Sequence, residues 1–275
     1  MPYAQINGAR LWYEVRGEGE PLLLHHGYTA SRVNWMPVAE RLESRYQIIL
    51  MECRGTGQSE HTPEGYTLAQ YAADVVGMLD QLGLQKVSFA GHSMGGGIGY
   101  LLALEHRDRL ERLILMAPIP AEGVGEITPE LREQRMAERR RGDQDAILAR
   151  YRAMQFRDDV ETEEWFIDRA EHILSVSDGH FERGAESMRD LDVAHRLPEI
   201  TTPTLMIAGA VDSLLEANLA DFMNLPNATL EVLSRAGHEV AVHEPDRVAE
   251  AIHSFMVHGP VTAATLMARL AAAEA

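Results

Sequence analysis

Three residues of the sequence carry side chains that together could perform nucleophilic catalysis: Ser93, Asp212 and His238. Serine is a weak nucleophile near neutral pH, and it needs a base whose pKa lies close to 7, which histidine supplies. A carboxylate is also needed, because it fixes the tautomer of the histidine and stabilises its protonated ring. The chain order Ser, Asp, His is the order expected for a triad on an α/β sheet. The sequence therefore predicts a catalytic triad.

Ser93 lies in the pentapeptide Gly91-His92-Ser93-Met94-Gly95, between an apolar run and a helical stretch. Small residues two positions to either side allow the sharp turn that holds a nucleophile above a sheet. The same turn directs the N–H of Met94 at the nucleophile from the first turn of a helix. A glycine-rich turn with an incidental serine is the alternative, and the strand before it and the helix after it weaken that interpretation.

The other two members of the predicted triad also follow strands. Asp212 comes soon after the apolar run 205–208, and His238 follows the run 230–233. The acidic member of the triad could instead follow the run 113–116, but no aspartate or glutamate occurs in the five residues after that run. Because parallel strands end at one edge of a sheet, we expect the three side chains to meet there.

The elements that must position these residues alternate along the chain. Apolar runs that predict strands are 11–15, 22–24, 48–50, 87–90, 113–116, 205–208 and 230–233. A helix is predicted from a Thr67 cap through residues 68–82 to Gly83. Short continuous apolar runs are typical of strands buried on both faces. The alternation predicts an α/β fold with a mostly parallel central sheet and helices on both faces.

The alternation stops between residues 120 and 196, where charged, Met and aromatic residues follow helical spacing. We interpret this segment as a helical cap inserted into a core made of residues 1–119 and 197–275. A cap in that place would cover the edge of the sheet at which ligands bind. The run Arg139–Arg141 has acidic neighbours, so a solvated helix face is favoured over an anion-binding patch.

Composition excludes several classes of partner. The 275 residues carry a formal charge of −17, which would repel nucleic acid and anionic membrane surfaces. The N-terminus lacks the features of a signal peptide, and apolar runs are too short to span a bilayer. The sequence predicts a cytoplasmic protein that acts on a small molecule.

Several cofactor chemistries are also disfavoured. Cys53 is the only cysteine, so neither an intrachain disulfide nor a cysteine zinc site can form. Lys86, the only lysine, is not in a phosphate-binding loop and is poorly placed for a Schiff base. His238 and His243 are five positions apart, which does not fit the zinc-binding H-E-x-x-H motif. We expect no metal and no organic cofactor.

The sequence resembles the α/β-hydrolase superfamily over roughly residues 6–256. The segments that carry the resemblance are Leu24-His25-His26-Gly27-Tyr28, Arg54-Gly55-Thr56-Gly57-Gln58-Ser59, Gly91–Gly96, the Asp212 loop, and Gly237-His238 with Glu244-Pro245. The resemblance implies that the backbone N–H groups of Tyr28 and Met94 form an oxyanion hole. Two departures are Glu52, where the family usually has aspartate, and His25, where an apolar residue is commoner.

Candidate residues for a substrate pocket are His25, His92, Met154 and Trp165. For His25 a hydrogen-bonded structural role is the alternative, and for Met154 and Trp165 it is the cap's own core. The tail 261–275 predicts a short helix that packs either on the body or on a second copy in a homodimer.

The resemblance and the predicted triad together imply a serine hydrolase of carboxylic esters or lactones, with an acyl-enzyme on Ser93. Serine at this position argues against the epoxide hydrolases and haloalkane dehalogenases of the superfamily, which use aspartate. The main alternative is a hydrolase of carbon–carbon bonds in diketone-like ring-cleavage products, and peroxide-dependent perhydrolysis is a minor one. A hydrolase-fold ligand sensor with little turnover is the alternative from another class.

Overall fold

Eight strands form one sheet in the computed structural model, which describes residues 3–273. They are β1 Tyr3–Ile6, β2 Ala9–Arg16, β3 Glu20–His25, β4 Tyr46–Met51, β5 Val87–His92, β6 Leu110–Met116, β7 Thr204–Gly209 and β8 Ala228–Leu233. Their order across the sheet is β1-β2-β4-β3-β5-β6-β7-β8. β1 pairs with β2, and β2 with β4, in antiparallel fashion, and all other pairs are parallel. The predicted mostly parallel sheet is confirmed.

Each predicted strand lies within an observed strand, but β1 was not predicted. Its four residues pair with the start of β2, with Tyr3 opposite Trp12 and Ile6 opposite Ala9. Only Ala4 and Ile6 of this strand are buried. Two buried side chains in so short a segment do not give a recognisable alternation, so the strand depends on pairing with β2.

Eleven α-helices accompany the sheet within residues 3–273. They are α1 Met36–Leu42, α2 Leu68–Gln81, α3 Met94–Glu105, α4 Pro129–Arg140, α5 Gln144–Arg152, α6 Glu163–Ser175, α7 Ala185–Arg189, α8 Leu215–Asn224, α9 Val240–His243, α10 Pro245–His258 and α11 Ala263–Ala273. The predicted helix is α2: the Thr67 hydroxyl accepts from the N–H of Gln70 at 3.1 Å, and Gly83 follows it with φ +69°. A hydroxyl that caps the first turn and a glycine at positive φ after the last turn are common at the two ends of a helix.

Helices cover both faces of the sheet. One face packs against α2 and α3 through a large apolar core that includes Tyr71, Leu79, Phe89, Ile98 and Leu113. The other packs against α1 and α10 through a second core that includes Leu22, Trp35, Ile48, Ile114 and Ile252. Both faces of the central strands are therefore removed from water, which explains their continuous apolar sequences.

The strand register brings the candidate catalytic loops to one edge. β3 lies between β4 and β5, and His25 at its end pairs with Met51 on one side and Gly91 on the other. Gly209 at the end of β7 pairs with Leu233 at the end of β8. The loops that follow these parallel strands therefore open at the same edge of the sheet.

Four helices, α4 to α7, lie between β6 and β7, and residues 120–196 contain no strand in the structure. A separate small apolar core holds part of this segment together; it consists of Ile147, Leu148, Phe166, Ala170 and Ile173. A single π-helical turn, His180–Gly184, precedes α7. Such turns are uncommon and are often found at functional sites.

The terminal helix α11 leaves its large apolar side chains in solvent. Val261, just before it, and Leu266, Met267 and Leu270 within it are each half or more exposed. The alternative that this helix packs on the body is therefore not what the structure shows. Among residues 3–273, no helix combines the length and the apolar character needed to cross a membrane.

Candidate active site

Ser93 occupies a strained turn between β5 and α3, with φ +55° and ψ −114°. The turn is crowded: a Cβ atom on Gly91 would lie 2.1 Å from the carbonyl oxygen of Gly95. A Cβ atom on Gly95 would lie 2.6 Å from the carbonyl oxygen of His25. Only glycine fits at these two positions, which is the physical reason for the spacing around the serine.

The structure brings Ser93, His238 and Asp212 together. The hydroxyl Oγ of Ser93 lies 2.9 Å from Nε2 of His238, and Nδ1 of His238 lies 2.9 Å from Oδ2 of Asp212. The second oxygen of Asp212 accepts from the N–H of Leu214 at 3.0 Å, which fixes the carboxylate. This geometry suits transfer of the serine proton to the imidazole.

The charges of the two partners stabilise each other. Burial opposes the ionisation of both groups and is the largest single effect on each, but the hydrogen bond between them and the surrounding charges together outweigh it. The pKa of Asp212 is therefore held below its ordinary value of 3.8, and the pKa of His238 is raised above 6.5. Asp212 is thus a carboxylate that favours the protonated imidazole a reaction would create.

A second carboxylate, Glu239, lies beside the triad and was not predicted. Nδ2 of Asn34 donates to it, and Nε of Arg169 lies 3.7 Å from it. Burial alone would raise its pKa, but the neighbouring His92, Arg169 and His238 and the hydrogen bond from Asn34 hold the pKa below its ordinary value. Its negative charge adds to that of Asp212 in raising the pKa of His238.

The two N–H groups expected to form an oxyanion hole are the backbone amides of Tyr28 and Met94. Neither the Tyr28 amide nor the Met94 amide donates a hydrogen bond to another group within residues 3–273. The loop of Tyr28 runs close to the serine, since a Cβ atom on Gly27 would lie 3.0 Å from the Cβ of Ser93. These amides are therefore available to an oxyanion bound at Ser93.

Side chains from the cap hold that loop in place. Arg169 of α6 donates to the carbonyl oxygen of Thr29 at 2.5 Å and to its hydroxyl at 3.2 Å. The N–H of Thr29, a residue with φ +51°, donates to Nε2 of His180 at 3.4 Å. The hydroxyl of Tyr28 donates to the carbonyl of Phe181. No sequence signal marks these contacts, because they join segments about 140 positions apart.

A cavity of about 450 Å³ opens above Ser93 and His238. Its size falls within the range of about 300–1,000 Å³ common for small-molecule sites. Most of its wall is apolar and comes from residues after β6 and from the cap, including Ile119, Met136, Met154, Ile173, Phe181 and Met188. Of the four predicted pocket residues, Met154 lines this cavity.

The other three predicted pocket residues lie elsewhere, so those predictions were wrong. His25 is fully buried, and its Nδ1 donates to the carbonyl of His26 at 3.0 Å. His92 is buried in β5, and its Nε2 donates to the carbonyl of His238 at 2.8 Å. Burial lowers their pKa values to about 3 and about 4, so both rings are neutral structural groups.

Trp165 lies in the cap, where its ring meets those of Tyr151 and Phe166 edge to face. It packs against the cap's own core rather than lining the cavity. Helical periodicity predicts that an aromatic residue such as Trp165 is on the apolar face of its helix. It does not predict whether that face packs in the core of the helical segment or lines the cavity.

Other reactive residues are structural. Cys53 is fully buried, and burial raises the pKa of its thiol to about 12, which leaves it protonated. His243 accepts from the N–H of Gly237 at 3.1 Å and lies 3.3 Å from Glu161. In the described part of the chain, no three His, Cys, Asp or Glu side chains are grouped so that they could bind a metal.

Comparison with known proteins identifies the fold. The family model of the α/β hydrolase fold matches residues 20–245. A putative carbamate hydrolase, RutD, of Caulobacter sp. (strain K31) is 27% identical over 270 residues, covering 90% of this chain and 95% of the relative. A 2-hydroxy-6-oxononadienedioate/2-hydroxy-6-oxononatrienedioate hydrolase of Dechloromonas aromatica is 28% identical over 272 residues, covering 90% and 91%.

Among solved structures, the enol-lactonase of Burkholderia xenovorans LB400 superposes with a TM-score of 0.83 at 25% identity. The match covers 94% of this chain and 100% of that one. The sheet order, the strained serine turn and these similarities agree, and the chain belongs to the α/β-hydrolase fold family.

Proposed function

We propose that this protein is a serine hydrolase that cleaves carboxylic esters or lactones of small molecules through an acyl-enzyme. One observation carries the proposal: Ser93, His238 and Asp212 form a hydrogen-bonded chain, and Ser93 and His238 line a largely apolar cavity. A nucleophile, its base and the orienting carboxylate are then all present beside a space that fits a small ligand.

In the first half of the reaction, Oγ of Ser93 attacks the carbonyl carbon while Nε2 of His238 accepts its proton. Asp212 stabilises the resulting imidazolium through the hydrogen bond at Nδ1. The oxyanion accepts hydrogen bonds from the amides of Tyr28 and Met94. Each such donor typically contributes about 10²–10³ in turnover, because it is fixed before the charge develops.

Collapse of the tetrahedral intermediate breaks the bond to the leaving oxygen, which takes the proton from His238. Water then donates a proton to the same nitrogen as it attacks the acyl-enzyme, and the acid is released with Ser93 restored. In a lactone the leaving alcohol stays attached to the acyl group, so one open-chain hydroxy acid is the product.

The named relatives guide the choice of substrates. An enol-lactonase superposes over almost the whole chain, which supports lactones. The putative carbamate hydrolase acts on another acyl group that the same steps could open. The Dechloromonas relative favours the second candidate, hydrolysis of a carbon–carbon bond in a diketone-like ring-cleavage product.

A substrate panel tests this choice. We expect turnover of p-nitrophenyl esters from acetate to decanoate and of simple lactones, with an optimum chain length set by the cavity. Little turnover of a vinylogous 1,5-diketone is expected. Rapid cleavage of the diketone with negligible ester turnover would select the carbon–carbon hydrolase. Absence of turnover on every substrate, with ligand binding retained, would select a sensor.

The pH dependence should report His238. Because the base must be neutral to accept a proton, kcat/KM is expected to rise with pH through one pKa and then level off. Burial lowers that pKa, but the hydrogen bond and charge of Asp212 together with the charge of Glu239 outweigh burial, so the midpoint should lie above 6.5. A flat profile from about pH 5 to about pH 9, with chemistry rate-limiting, would contradict this role.

The contact between Arg169 and Thr29 should support the oxyanion hole. We expect Arg169→Gln to lower kcat by about tenfold with a smaller change in KM, because a loosened loop weakens a donor used in the transition state. Arg152→Gln on the exposed surface of α5 is the matched control and should keep wild-type kcat. An unchanged kcat in Arg169→Gln, or a change confined to thermal stability, would contradict the positioning role.

A further inference from the structure

Arginine side chains are concentrated around the cavity above Ser93. The cavity wall contains five arginines and one acidic residue, Glu182; the arginines are Arg132, Arg135, Arg150, Arg169 and Arg189. This concentration stands out in a chain whose formal charge is −17. The positive groups surround an otherwise apolar space, the arrangement by which pockets orient a charged end of a ligand.

Most of these charges already have acidic partners. Four of the five arginines form ion pairs. In three of these pairs the acidic partner is less than half exposed, namely Arg132 with Glu186, Arg150 with Glu138, and Arg169 with Glu239. The acidic residue of the wall, Glu182, lies 3.3 Å from Arg140, which is outside the cavity. These groups neutralise one another, so they add little net charge to the cavity.

Two arginines remain that are not neutralised in this way. Within residues 3–273, the exposed Arg135 of α4 forms neither an ion pair nor a side-chain hydrogen bond. Arg189, the last residue of α7, has a side chain only 11% exposed, and its partner Glu126, at 3.7 Å, is 85% exposed. Because that partner lies largely in water, it compensates the desolvation of Arg189 less than a buried carboxylate would, and the Arg189 guanidinium donates no side-chain hydrogen bond within residues 3–273.

Both arginines lie near Tyr28, in the loop that follows β3. Burial raises the pKa of the Tyr28 phenol, and the positive charges of Arg135 and Arg189 act against this rise. Tyr28, Arg135 and Arg189 also line the same cavity. Both residues therefore line the same cavity as the nucleophile, and Arg189 also lines a second pocket that shares part of this wall.

We propose that the substrate carries a carboxylate, apart from the ester or lactone group, and that Arg135 and Arg189 bind it. The inference rests on the proposed function and narrows its substrate class. A guanidinium matches the two oxygens of a carboxylate and remains charged at all relevant pH values.

Two matched substrate pairs test the inference with the protein as it is. The first pair is mono-p-nitrophenyl adipate and p-nitrophenyl hexanoate, which share chain length and leaving group and differ in the terminal charge. The second pair places the charge in the alcohol: the hexanoate esters of 4-hydroxybenzoate and of 4-hydroxyacetophenone. The measured quantity is the ratio of kcat/KM for the anionic member to that for the neutral member.

We expect a ratio of about ten or more in at least one pair, the value typical of one charge-assisted hydrogen bond. The ratio should fall towards one in Arg135→Gln and Arg189→Gln, mainly through KM, and Arg135→Lys should retain part of it. Arg141→Gln, at an exposed position just after the same helix and outside the cavity, should keep the wild-type ratio. Added salt should lower the wild-type ratio and leave that of the double variant unchanged.

A ratio near one in both pairs would overturn the inference, as would a preference that survives in the double variant. A higher rate with phosphorylated than with carboxylated substrates would also overturn it. If neutral esters are cleaved in a Ser93-dependent way without preference, the proposed function stands and only this inference fails. If no member of either pair is cleaved, both fail.

Discussion

Ser93→Ala is expected to lower kcat for the best p-nitrophenyl ester by about 10⁴-fold to about 10⁶-fold. The side-chain oxygen that forms the acyl-enzyme is lost, and water has no equally positioned path to the carbonyl carbon. The fold should survive, because alanine has the same Cβ as serine and therefore tolerates the turn at φ +55° equally well.

Ser254→Ala is the matched control, since Ser254 lies exposed on α10 and far along the chain from the candidate site. It should keep wild-type kcat. Circular dichroism and thermal unfolding of both variants would separate loss of the nucleophile from loss of structure. Turnover in a folded Ser93→Ala within about tenfold of wild type would exclude Ser93 as the nucleophile.

The second large effect is expected for Asp212→Asn, which should lower kcat by about 10⁴-fold. The asparagine carbonyl can still accept from the N–H of Leu214, so the amide group is turned towards Nδ1 of His238. That nitrogen must then accept a hydrogen bond, and Nε2 carries the proton. A protonated Nε2 cannot accept the proton of Ser93.

The pH profile gives this variant a second readout. Without the charge of Asp212, the pKa of His238 should fall, so the residual activity should begin to rise at lower pH than in wild type. Asp158→Asn, at an exposed position of the cap, is the control and should change neither quantity. A kcat within about tenfold of wild type in Asp212→Asn would place the catalytic acid elsewhere.

The parts of the structure that sequence could predict are those encoded locally. Gly91 is required by a contact within the turn itself, since a Cβ atom there would lie 2.1 Å from the carbonyl oxygen of Gly95. The requirement for Gly95 comes instead from the end of β3, where the carbonyl oxygen of His25 would lie 2.6 Å from a Cβ atom. The strands from β3 to β7 are buried on both faces, so their continuous apolar runs identify them as strands without knowledge of the partner strands. The same holds for α2, whose cap and end lie next to it in sequence.

The parts that sequence did not predict depend on distant segments. His25 and His92 sit next to catalytic loops in sequence, yet the sheet and the loops bury them behind the cavity. Arg169 and His180 meet the Thr29 loop only because the cap folds over it. β1 exists as a strand because β2 pairs with it. In each case a tertiary contact decides the role, and no periodicity reports it.

The helical segment 120–196 contacts the loop of Tyr28 and also lines the cavity. It contributes Arg169, His180 and Phe181 to the loop of Tyr28, and most of the cavity wall. A change in the sequence of residues 120–196 could therefore alter both the substrate class and the support of the proposed oxyanion hole. Such dual roles are expected where a fold is retained and loops or insertions vary.

The central claim is that Ser93 is an activated nucleophile, and covalent labelling tests it most directly. Wild-type protein treated with diethyl p-nitrophenyl phosphate should release one equivalent of p-nitrophenolate, because phosphorylated serine cannot return to the free hydroxyl by ordinary deacylation. Ester hydrolysis should be lost at the same rate, and peptide mass spectrometry should place the diethylphosphoryl group on Ser93. Label on another residue, equal labelling of Ser93→Ala, or full ester turnover in protein that takes up no label would contradict the claim.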